Sequence, residues 1–490
     1  MEQKMITLTI DGISVTVPDG STVLEAAKEA KIYIPTLCYL KGINQIGACR
    51  ICMVEIEGAR GLGAACVMPA ADGMVVRTNT PKLRQVRKDN LGLLLSNHNR
   101  ECTTCVRSGK CELQALCNEY GVSEVTYQGA KTFSPDAIDD VSPSIVRDNS
   151  KCIHCRRCIA ACQNIQKIGA IGMSKRGFKS TVGAAFGVSL ADSPCVNCGQ
   201  CIEACPVGAL HEKSEIDKVW EAIADPEKIV CVQPAPAVRA ALGEEFGLPI
   251  GTGVTGKMAA SMRRLGFDKV FDTDFGADLT IMEEGTELLH RLQNGGVLPM
   301  ITSCSPGWIT YCEKFFPEFI PNLSTCKSPH EMTGAIIKSY YAKKIGVDPS
   351  KLFVVSVMPC TAKKYEAKRP QNAAVEKLPD VDAVLTVREY ARMVKTAGID
   401  FANLDDEDFD KLLGESTGAG VIFGATGGVM EAALRTVYEK VTGKELKDVD
   451  FHAVRGFEGI KEATIDLDGT KVNVAIAHGT GNAEKLLKAV

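Results

Sequence analysis

The stretch CIHCRRCIAAC at residues 152–162 returns as CVNCGQCIEAC at residues 195–205. Both copies follow C-x2-C-x2-C-x3-C, a bacterial run that binds two [4Fe–4S] clusters, with the fourth cysteine of each run binding the other cluster. The spacing therefore predicts two clusters with exchanged fourth ligands. The two predicted sets are Cys152, Cys155, Cys158 and Cys205, and Cys195, Cys198, Cys201 and Cys162.

A third set of ligands lies just upstream, in HNRECTTCVRSGKC at residues 98–111. A histidine four residues ahead of C-x-x-C-x5-C can hold zinc or a [4Fe–4S] cluster. Its position between other iron–sulfur motifs favours the cluster over zinc. An amphipathic helix is predicted before it, over residues 81–97, and Cys117 is interpreted as a core cysteine. The predicted ligands are His98, Cys102, Cys105 and Cys111.

The N-terminal 80 residues predict a small β-rich domain. MITLTIDGISVTV alternates apolar and polar residues around Asp11-Gly12, which is typical of a hairpin, and STVLEAAKEAKI predicts a helix with Ser21 as N-cap. With the C-x-x-C of GACRICMVE, this indicates a ubiquitin-like sheet of the plant-ferredoxin kind holding a [2Fe–2S] centre. Two structural disulfides are the alternative, which the absence of a secretory signal disfavours. The predicted ligands are Cys38, Cys49, Cys52 and Cys66.

Composition restricts the function classes. A chain of 490 residues is too long for one core, and 56 basic against 60 acidic residues give a net charge of −4, unlike a nucleic-acid binder. No apolar run reaches the roughly 18–20 residues that span a bilayer. The start of the chain has no signal-peptide core, and the 21 cysteines cluster in C-x-x-C sets. We therefore expect a cytoplasmic, metal-binding protein with no nucleic-acid or membrane partner.

From about residue 226 the pattern becomes that of an α/β domain. Residues 230–247 predict a strand and then a helix, and the apolar runs VLPMITSC (297–304) and FVVSVMPC (353–360) are β-rich and each end on a cysteine. The ends of such strands commonly build a site in a shared crevice. The glycine-rich run at 418–435 lacks the G-x-G-x-x-G register, so close packing is predicted there instead of dinucleotide binding.

With the four ligand sets in this order, ITSCSPGW at residues 301–308 and VMPCTAKKYE at 357–366 make the chain resemble the [FeFe]-hydrogenase catalytic subunit along nearly its whole length. The resemblance implies a multidomain α+β fold that ends in an α/β hydrogenase-like domain. The expected domains are a ubiquitin-like [2Fe–2S] ferredoxin domain (1–80), a small helical His/Cys3 [4Fe–4S] domain (81–140), a bacterial two-cluster ferredoxin domain (141–225) and a C-terminally shortened hydrogenase-like domain (226–490).

The resemblance also implies where the hydrogen-converting cluster binds in the family. Its four cysteine ligands are the second cysteine of TSCCPxW, the cysteine of MPCxxKxxE and two cysteines of ExMACxxGCxxGGGxP. In this sequence Ser305 stands at the first position and Cys360 at the second, while the third motif is expected beyond Val490. The expectation is therefore one [2Fe–2S] and three [4Fe–4S] centres without the hydrogen-converting cluster.

Other positions match the family's proton apparatus. Cys304 matches the cysteine that hands protons to the di-iron unit, and Lys363 matches the lysine that contacts a cyanide ligand. The relay itself is matched by Glu284, Glu287 and Ser324. A structural interpretation stays open, because the two glutamates share one helical face. Cys326 is interpreted as a buried apolar cysteine.

Three functions are compatible with these observations. The first expectation is an oxidoreductase-complex subunit that transfers electrons without hydrogen chemistry, with a formate dehydrogenase or a transhydrogenase as partner enzyme. The alternatives are an active [FeFe]-hydrogenase with a shortened chain and a redox-sensing scaffold. The resemblance implies an FMN- and NAD(H)-binding diaphorase-type subunit, a small thioredoxin-like [2Fe–2S] subunit and ferredoxin as partners, coupled by electron bifurcation.

Overall fold

The computed structural model describes residues 4–125, 127–129, 137–446, 452–454 and 458–490. It divides into two compact units. The first extends to Cys195 and also includes Gln200–His211, and the second comprises Val196–Gly199 and Glu212–Val490. None of the helices in the described ranges is both long and apolar enough to cross a membrane.

The first unit begins with the predicted hairpin. Strand Met5–Ile10 pairs antiparallel with Ile13–Pro18, and Gly12 adopts the left-handed backbone (φ 84°) that the tight turn requires. Strand Val75–Arg77 joins parallel to the first strand, and Met53–Ile56 and Gly63–Ala64 complete the five-stranded sheet.

The prediction of Ser21 as N-cap was wrong, because Thr22 caps the helix Val23–Glu29. The Thr22 hydroxyl accepts a hydrogen bond from the Glu25 amide, and the Glu25 carboxylate accepts one from the Thr22 amide at 2.8 Å. This reciprocal capping box needs a glutamate three residues after the cap, a spacing that Thr22 has and Ser21 lacks.

The remainder of the first unit is helical segments and short strands. The predicted amphipathic helix is present as Pro81–Ser96, with Thr80 as N-cap. The other helical segments are Glu112–Glu119, Asn149–Lys151, Arg157–Ala160, Ala161–Ile165 (a π-helical turn), Gly177–Lys179, Ala185–Gly187, Leu190–Asp192 and Gln200–Ala204. The strands are Ile138–Asp139, Ile145–Asp148, Gly172–Ser174, Thr181–Gly183 and Leu210–Glu212.

A four-stranded parallel sheet forms the core of the second unit. Its order is Lys269–Val270, Ile229–Pro234, Leu352–Met358 and Ala383–Thr386. The central strand Leu352–Met358 is buried at every position, as expected for a parallel strand covered on both faces. A separate antiparallel sheet contains His452–Ala453, Ile460–Leu467 and Thr470–Ala477.

Helices surround the parallel sheet. The longest, Thr273–Asn294, ends at Gly295 in the left-handed conformation typical of a helix C-terminus. The other helices are Ile216–Ala224, Val238–Ala241, Thr255–Leu265, Pro306–Phe315, Pro329–Ile336, Ile337–Tyr341 (π-helical), Ala342–Ile345, Ala362–Glu366, Val387–Thr396, Gly418–Ile422, Gly428–Thr442 and Thr480–Leu487. The 3-10 turns are Leu242–Phe246, Pro317–Asn322, Pro349–Lys351 and Phe401–Asn403.

One predicted strand is replaced by a loop. FVVSVMPC forms the strand Leu352–Met358 and ends at Cys360 as expected, but VLPMITSC forms only a single bridge, Ile301 to Leu323. Pro299 has no amide hydrogen to donate to a strand ladder, so this apolar run packs as a loop. The run at 418–435 packs closely, because a Cβ on Gly420 would lie 2.6 Å from the Asp274 carbonyl oxygen.

Candidate functional site

The four cysteines of the N-terminal set lie together in the buried part of the first unit. The Cys49 amide donates to Cys38 Sγ at 3.5 Å, and none of the four is in a disulfide. Hydrogen bonds from the Cys49 and Cys66 thiols lower the pKa of Cys38 to about 2, and the same contact raises the pKa of Cys66. Four cysteines that lie together in this way fit a [2Fe–2S] centre.

Arg87 fixes the loop that carries Cys52. Its buried guanidinium, on the helix Pro81–Ser96, donates to the carbonyl oxygens of Ile51 at 3.2 Å and Met53 at 3.0 Å. It also donates to the Thr78 carbonyl at 2.8 Å. The arginine thus holds the residues on both sides of Cys52 and places a fixed positive charge beside this set, which the sequence patterns did not reveal.

The three cysteines of the set that begins with His98 (the His98 set) also lie close to one another. Burial, and then the charges of Cys105 and Cys102, raise the pKa of Cys111, which places the three thiols within electrostatic reach of one another. His98 is buried just after the helix Pro81–Ser96. Cys117 was interpreted as a core cysteine, and it is buried, but the charges of Cys111 and Cys102 also help raise its pKa to about 11.

The geometry of the Cys152 set agrees with an exchange of the fourth ligand between the two C-x2-C-x2-C-x3-C motifs. Cys152, Cys155, Cys158 and Cys205 line one cavity together with Arg147 and Arg156. Burial raises the pKa of Cys158, and the charges of the three other thiols raise it further. Four converging thiols and two guanidinium groups fit an anionic [4Fe–4S] cluster.

Two side chains connect these sets within the first unit. The buried Asn44 amide donates to the carbonyl oxygen of Cys38 at 2.7 Å and to that of Cys155 at 3.0 Å. Arg107, between two ligands of the His98 set, donates to the Cys205 carbonyl at 3.1 Å. Both upstream sets therefore adjoin the Cys152 set, an arrangement that the order of motifs along the chain does not show.

The remaining predicted set consists of Cys162, Cys195, Cys198 and Cys201. Cys162 lies in the π-helical turn Ala161–Ile165, and Cys195 and Cys201 also belong to the first unit. Cys198 belongs with Val196–Gly199 to the second unit, where the Asn197 carbonyl accepts a hydrogen bond from Thr361 Oγ1 at 2.8 Å. Within the second unit, the Cys198 loop is therefore bonded to the residue next to Cys360.

Cys304 and Lys363 meet in the second unit. Lys363 Nζ donates to the Cys304 carbonyl oxygen at 2.9 Å and to Glu366 Oε2 at 2.7 Å. Burial and the charge of Glu284 raise the pKa of the Cys304 thiol to about 11. The thiol is thus protonated at neutral pH and able to donate.

The predicted relay residues are brought together beside Cys304. Glu284 is buried on the helix Thr273–Asn294, and burial raises its pKa to about 7 although Ser324 and Ser303 partly oppose the rise. Ser324 Oγ donates to Glu287 Oε2 at 2.9 Å. Ser303, which no sequence pattern indicated, precedes Cys304 and donates to the Cys326 carbonyl at 2.8 Å.

Glu287 forms the outer end of this group. Arg291 donates to Glu287 Oε1 at 2.6 Å, and the Thr325 amide donates to Oε2 at 3.0 Å. Burial would raise the pKa of Glu287, but the bonds from Ser324 and Arg291 prevail and lower it. The interpretation of Cys326 as a buried apolar residue was incomplete, because its half-buried thiol lies 3.9 Å from Glu287 Oε2.

Cys360 and Ser305, the two positions matched to ligands of the hydrogen-converting cluster, differ in their fit to iron. Cys360 follows the C-terminal end of the strand Leu352–Met358, and the amides of Ala362 and Lys363 point to its thiol, which suits an iron ligand. Ser305 is exposed, and its hydroxyl does not cap the helix Pro306–Phe315. It offers a hydroxyl where a thiolate is expected, so these two residues alone do not make the donor set.

Family models match most of the chain. The model described as iron only hydrogenase large subunit, C-terminal domain, matches residues 228–490. A 2Fe-2S iron-sulfur cluster binding domain matches residues 3–81, the NADH-ubiquinone oxidoreductase-G iron-sulfur binding region matches 87–126, and a 4Fe-4S dicluster domain matches 151–209. These matches confirm the expected order of domain types.

Similar proteins cover the whole chain. NADP-reducing hydrogenase subunit HndD of Solidesulfovibrio fructosivorans is 53% identical over 99% of this chain and 84% of its own length. Iron hydrogenase 1 of Clostridium pasteurianum is 44% identical over the same shares. A solved structure of a variant of apo [FeFe]-hydrogenase HydA1 from Chlamydomonas reinhardtii is 44% identical, with a TM-score of 0.52 over 56% of this chain and 78% of that one.

Proposed function

Because this chain belongs to the iron-only hydrogenase large-subunit family, we propose that it is the electron-carrying subunit of an NADP-linked hydrogenase complex. The matched cluster-binding domains and the similarity to a subunit named as NADP-reducing support this role. The accessory sites carry single electrons, at potentials set by cluster type, hydrogen bonding and exposure.

Hydrogen conversion in the second unit is supported by one observation, the partly buried group formed by Glu287, Ser324, Glu284 and Cys304. Hydrogen conversion moves protons as well as electrons, whereas electron transfer alone needs no proton path. A carboxyl with a pKa near 7, such as that of Glu284, can take and release a proton at neutral pH. The family's cluster supplies the redox chemistry when it is bound.

Electron transfer without hydrogen chemistry is the second candidate, and Ser305 is the observation that favours it. A hydroxyl is a poorer iron ligand than a thiolate, so this substitution weakens the site. In that case the second unit serves as a docking surface, and a formate dehydrogenase or transhydrogenase partner supplies or receives the electrons.

An infrared spectrum of the natively purified complex separates the two candidates. Carbonyl and cyanide bands are expected if the second unit converts hydrogen, together with about six irons beyond the about 14 of the accessory clusters. A blank spectrum from protein with the full accessory iron content would reject hydrogen conversion and leave electron transfer alone.

The proposed complex also contains an FMN- and NAD(H)-binding diaphorase-type subunit, a thioredoxin-like [2Fe–2S] subunit and ferredoxin, which together bifurcate electrons. The similarity to the oxidoreductase-G iron–sulfur region supports a diaphorase-type partner. We expect NADP⁺ reduction by hydrogen to require ferredoxin in the purified complex. Full NADP⁺ reduction without ferredoxin would contradict bifurcation but not the electron-carrying role.

A further inference from the structure

Three ionisable side chains outside the relay meet in the buried core of the second unit. His330 and Glu331 lie in the first turn of the helix Pro329–Ile336, and Glu366 ends the helix Ala362–Glu366. One ring nitrogen and one carboxylate oxygen from each glutamate lie within 4.8 Å of one another. Imidazole and carboxylate together suit divalent first-row metal ions.

In the described part of the chain, no lysine or arginine forms an ion pair with Glu331 within 4.0 Å. The residue is fully buried, and neither carboxylate oxygen has a hydrogen-bond partner. Oε1 points into the group, 3.3 Å from His330 Nε2. Leaving a carboxylate buried and unpaired is costly, so a cation or a proton has to compensate it.

His330 presents one ring nitrogen to both carboxylates. Nε2 lies 2.6 Å from Glu366 Oε2 and 3.3 Å from Glu331 Oε1. The other nitrogen, Nδ1, lies 3.2 Å from Ser356 Oγ. Without an ion, Nε2 donates to the Glu366 carboxylate. A divalent ion would replace that proton, and the imidazole would then carry its proton on Nδ1 and donate it to Ser356 Oγ. Metal-binding histidines are commonly oriented by such a bond.

Lys363 balances only one of the two carboxylates. Its ammonium lies 2.7 Å from Glu366 Oε2, and no ion pair within 4.0 Å joins it to Glu331 in the part of the chain that the structure describes. An ionised Glu331 would therefore leave one negative charge uncompensated in the group. A divalent ion between His330, Glu331 and Glu366 would neutralise it.

We propose that His330, Glu331 and Glu366 bind one divalent transition-metal ion, of the Mn²⁺ or Zn²⁺ class, at a site separate from the iron–sulfur centres. The ion holds Glu366, which in turn holds Lys363 against the Cys304 carbonyl. The site is therefore a structural one that fixes the position of Lys363. It does not depend on whether the second unit converts hydrogen.

Mn²⁺ binding tests this site, because Mn²⁺ prefers carboxylate and imidazole ligands over the thiolates of the cluster sets. The full chain with assembled accessory clusters is treated with a chelator and titrated with Mn²⁺, and free Mn²⁺ is followed by electron paramagnetic resonance. We expect one Mn²⁺ per chain, displaced by Zn²⁺, and at least about tenfold weaker binding in Glu331→Gln. Glu318→Gln, which makes the same charge change at an exposed residue, should bind like the wild type.

Thermal melting separates a loss of metal binding from a loss of folding in the variant. Without metal, Glu331→Gln should melt at or above the wild-type temperature, because it removes a buried charge. Added Mn²⁺ should raise Tm for the wild type and not for Glu331→Gln. Equal Mn²⁺ affinity in the two proteins, or no stoichiometric binding of Mn²⁺ and Zn²⁺ by the wild type, overturns the proposal in favour of a protonated Glu331.

Discussion

At the residue scale, Glu284 illustrates how burial raises the pKa of a carboxyl group at the expense of stability. Its pKa is raised by burial to about 7, so the folded protein keeps the proton where the unfolded chain, with an ordinary carboxyl, has lost it. The unfolded state gains by ionising above about pH 4.5, and the folded state therefore loses stability as pH rises from there to about 7.

Glu284→Gln should remove this loss. The glutamine cannot ionise, so we expect Tm of the variant to exceed that of the wild type at pH 8, by an amount equivalent to about 1–3 kcal/mol, and the gap to shrink at pH 6. Thermal melts at the two pH values measure it. The exposed neighbour Glu283→Gln is the control and should show no such pH-dependent gap. A constant gap across pH would show that Glu284 is ionised in the fold.

Asn44, also at the residue scale, links the loops of two predicted cluster sites. Its amide group is the bridge between the carbonyls of Cys38 and Cys155, two residues 117 positions apart. Asn44→Leu keeps the volume and removes both donors. We expect a loss of about 1–3 kcal/mol for each carbonyl left buried without a partner.

The same variant should also weaken the magnetic interaction between the reduced [2Fe–2S] and [4Fe–4S] centres, read from electron paramagnetic resonance spectra at full iron content. Asn90→Leu is the control, because it removes one exposed hydrogen bond, from the Asn90 amide group to the Arg50 carbonyl oxygen. An unchanged magnetic interaction in Asn44→Leu would show that Asn44 does not contribute to the coupling between the two centres.

At the element scale, the turn after the second cysteine motif packs directly on the His98 set. A Cβ on Gly208 would lie 2.5 Å from Cys105 Sγ, closer than any real contact. Gly208→Ala should therefore displace that thiol and cost the protein about four irons, the content of one [4Fe–4S] cluster. Iron and sulfide analysis measures this.

Gly61→Ala is the matched control for Gly208→Ala, because a Cβ at Gly61 meets nothing within 4 Å. It should retain the wild-type iron content. Full iron content in Gly208→Ala would mean that Cys105 can move aside without losing its cluster.

At the scale of the whole molecule, the sequence predicted structure formed within a few residues better than contacts between residues far apart in the chain. The hairpin at Asp11-Gly12 and the strand that ends at Met358, two residues before Cys360, follow from alternation and apolar runs within a few residues. The prediction of a strand at VLPMITSC was wrong because an apolar run does not reveal whether a neighbouring strand exists to pair with it. Glu331 and Glu366 are 35 positions apart, so no spacing rule could have brought them together.

The cavity lined by Cys152, Cys155, Cys158 and Cys205 also has a consequence for biogenesis. Its last ligand is synthesised 47 residues after the third, so a nascent chain cannot offer all four thiols until Cys205 has left the ribosome. Cluster insertion at this cavity must then follow translation of the whole cysteine-rich region. Iron delivery to this cavity before that point would meet only three of its four thiols.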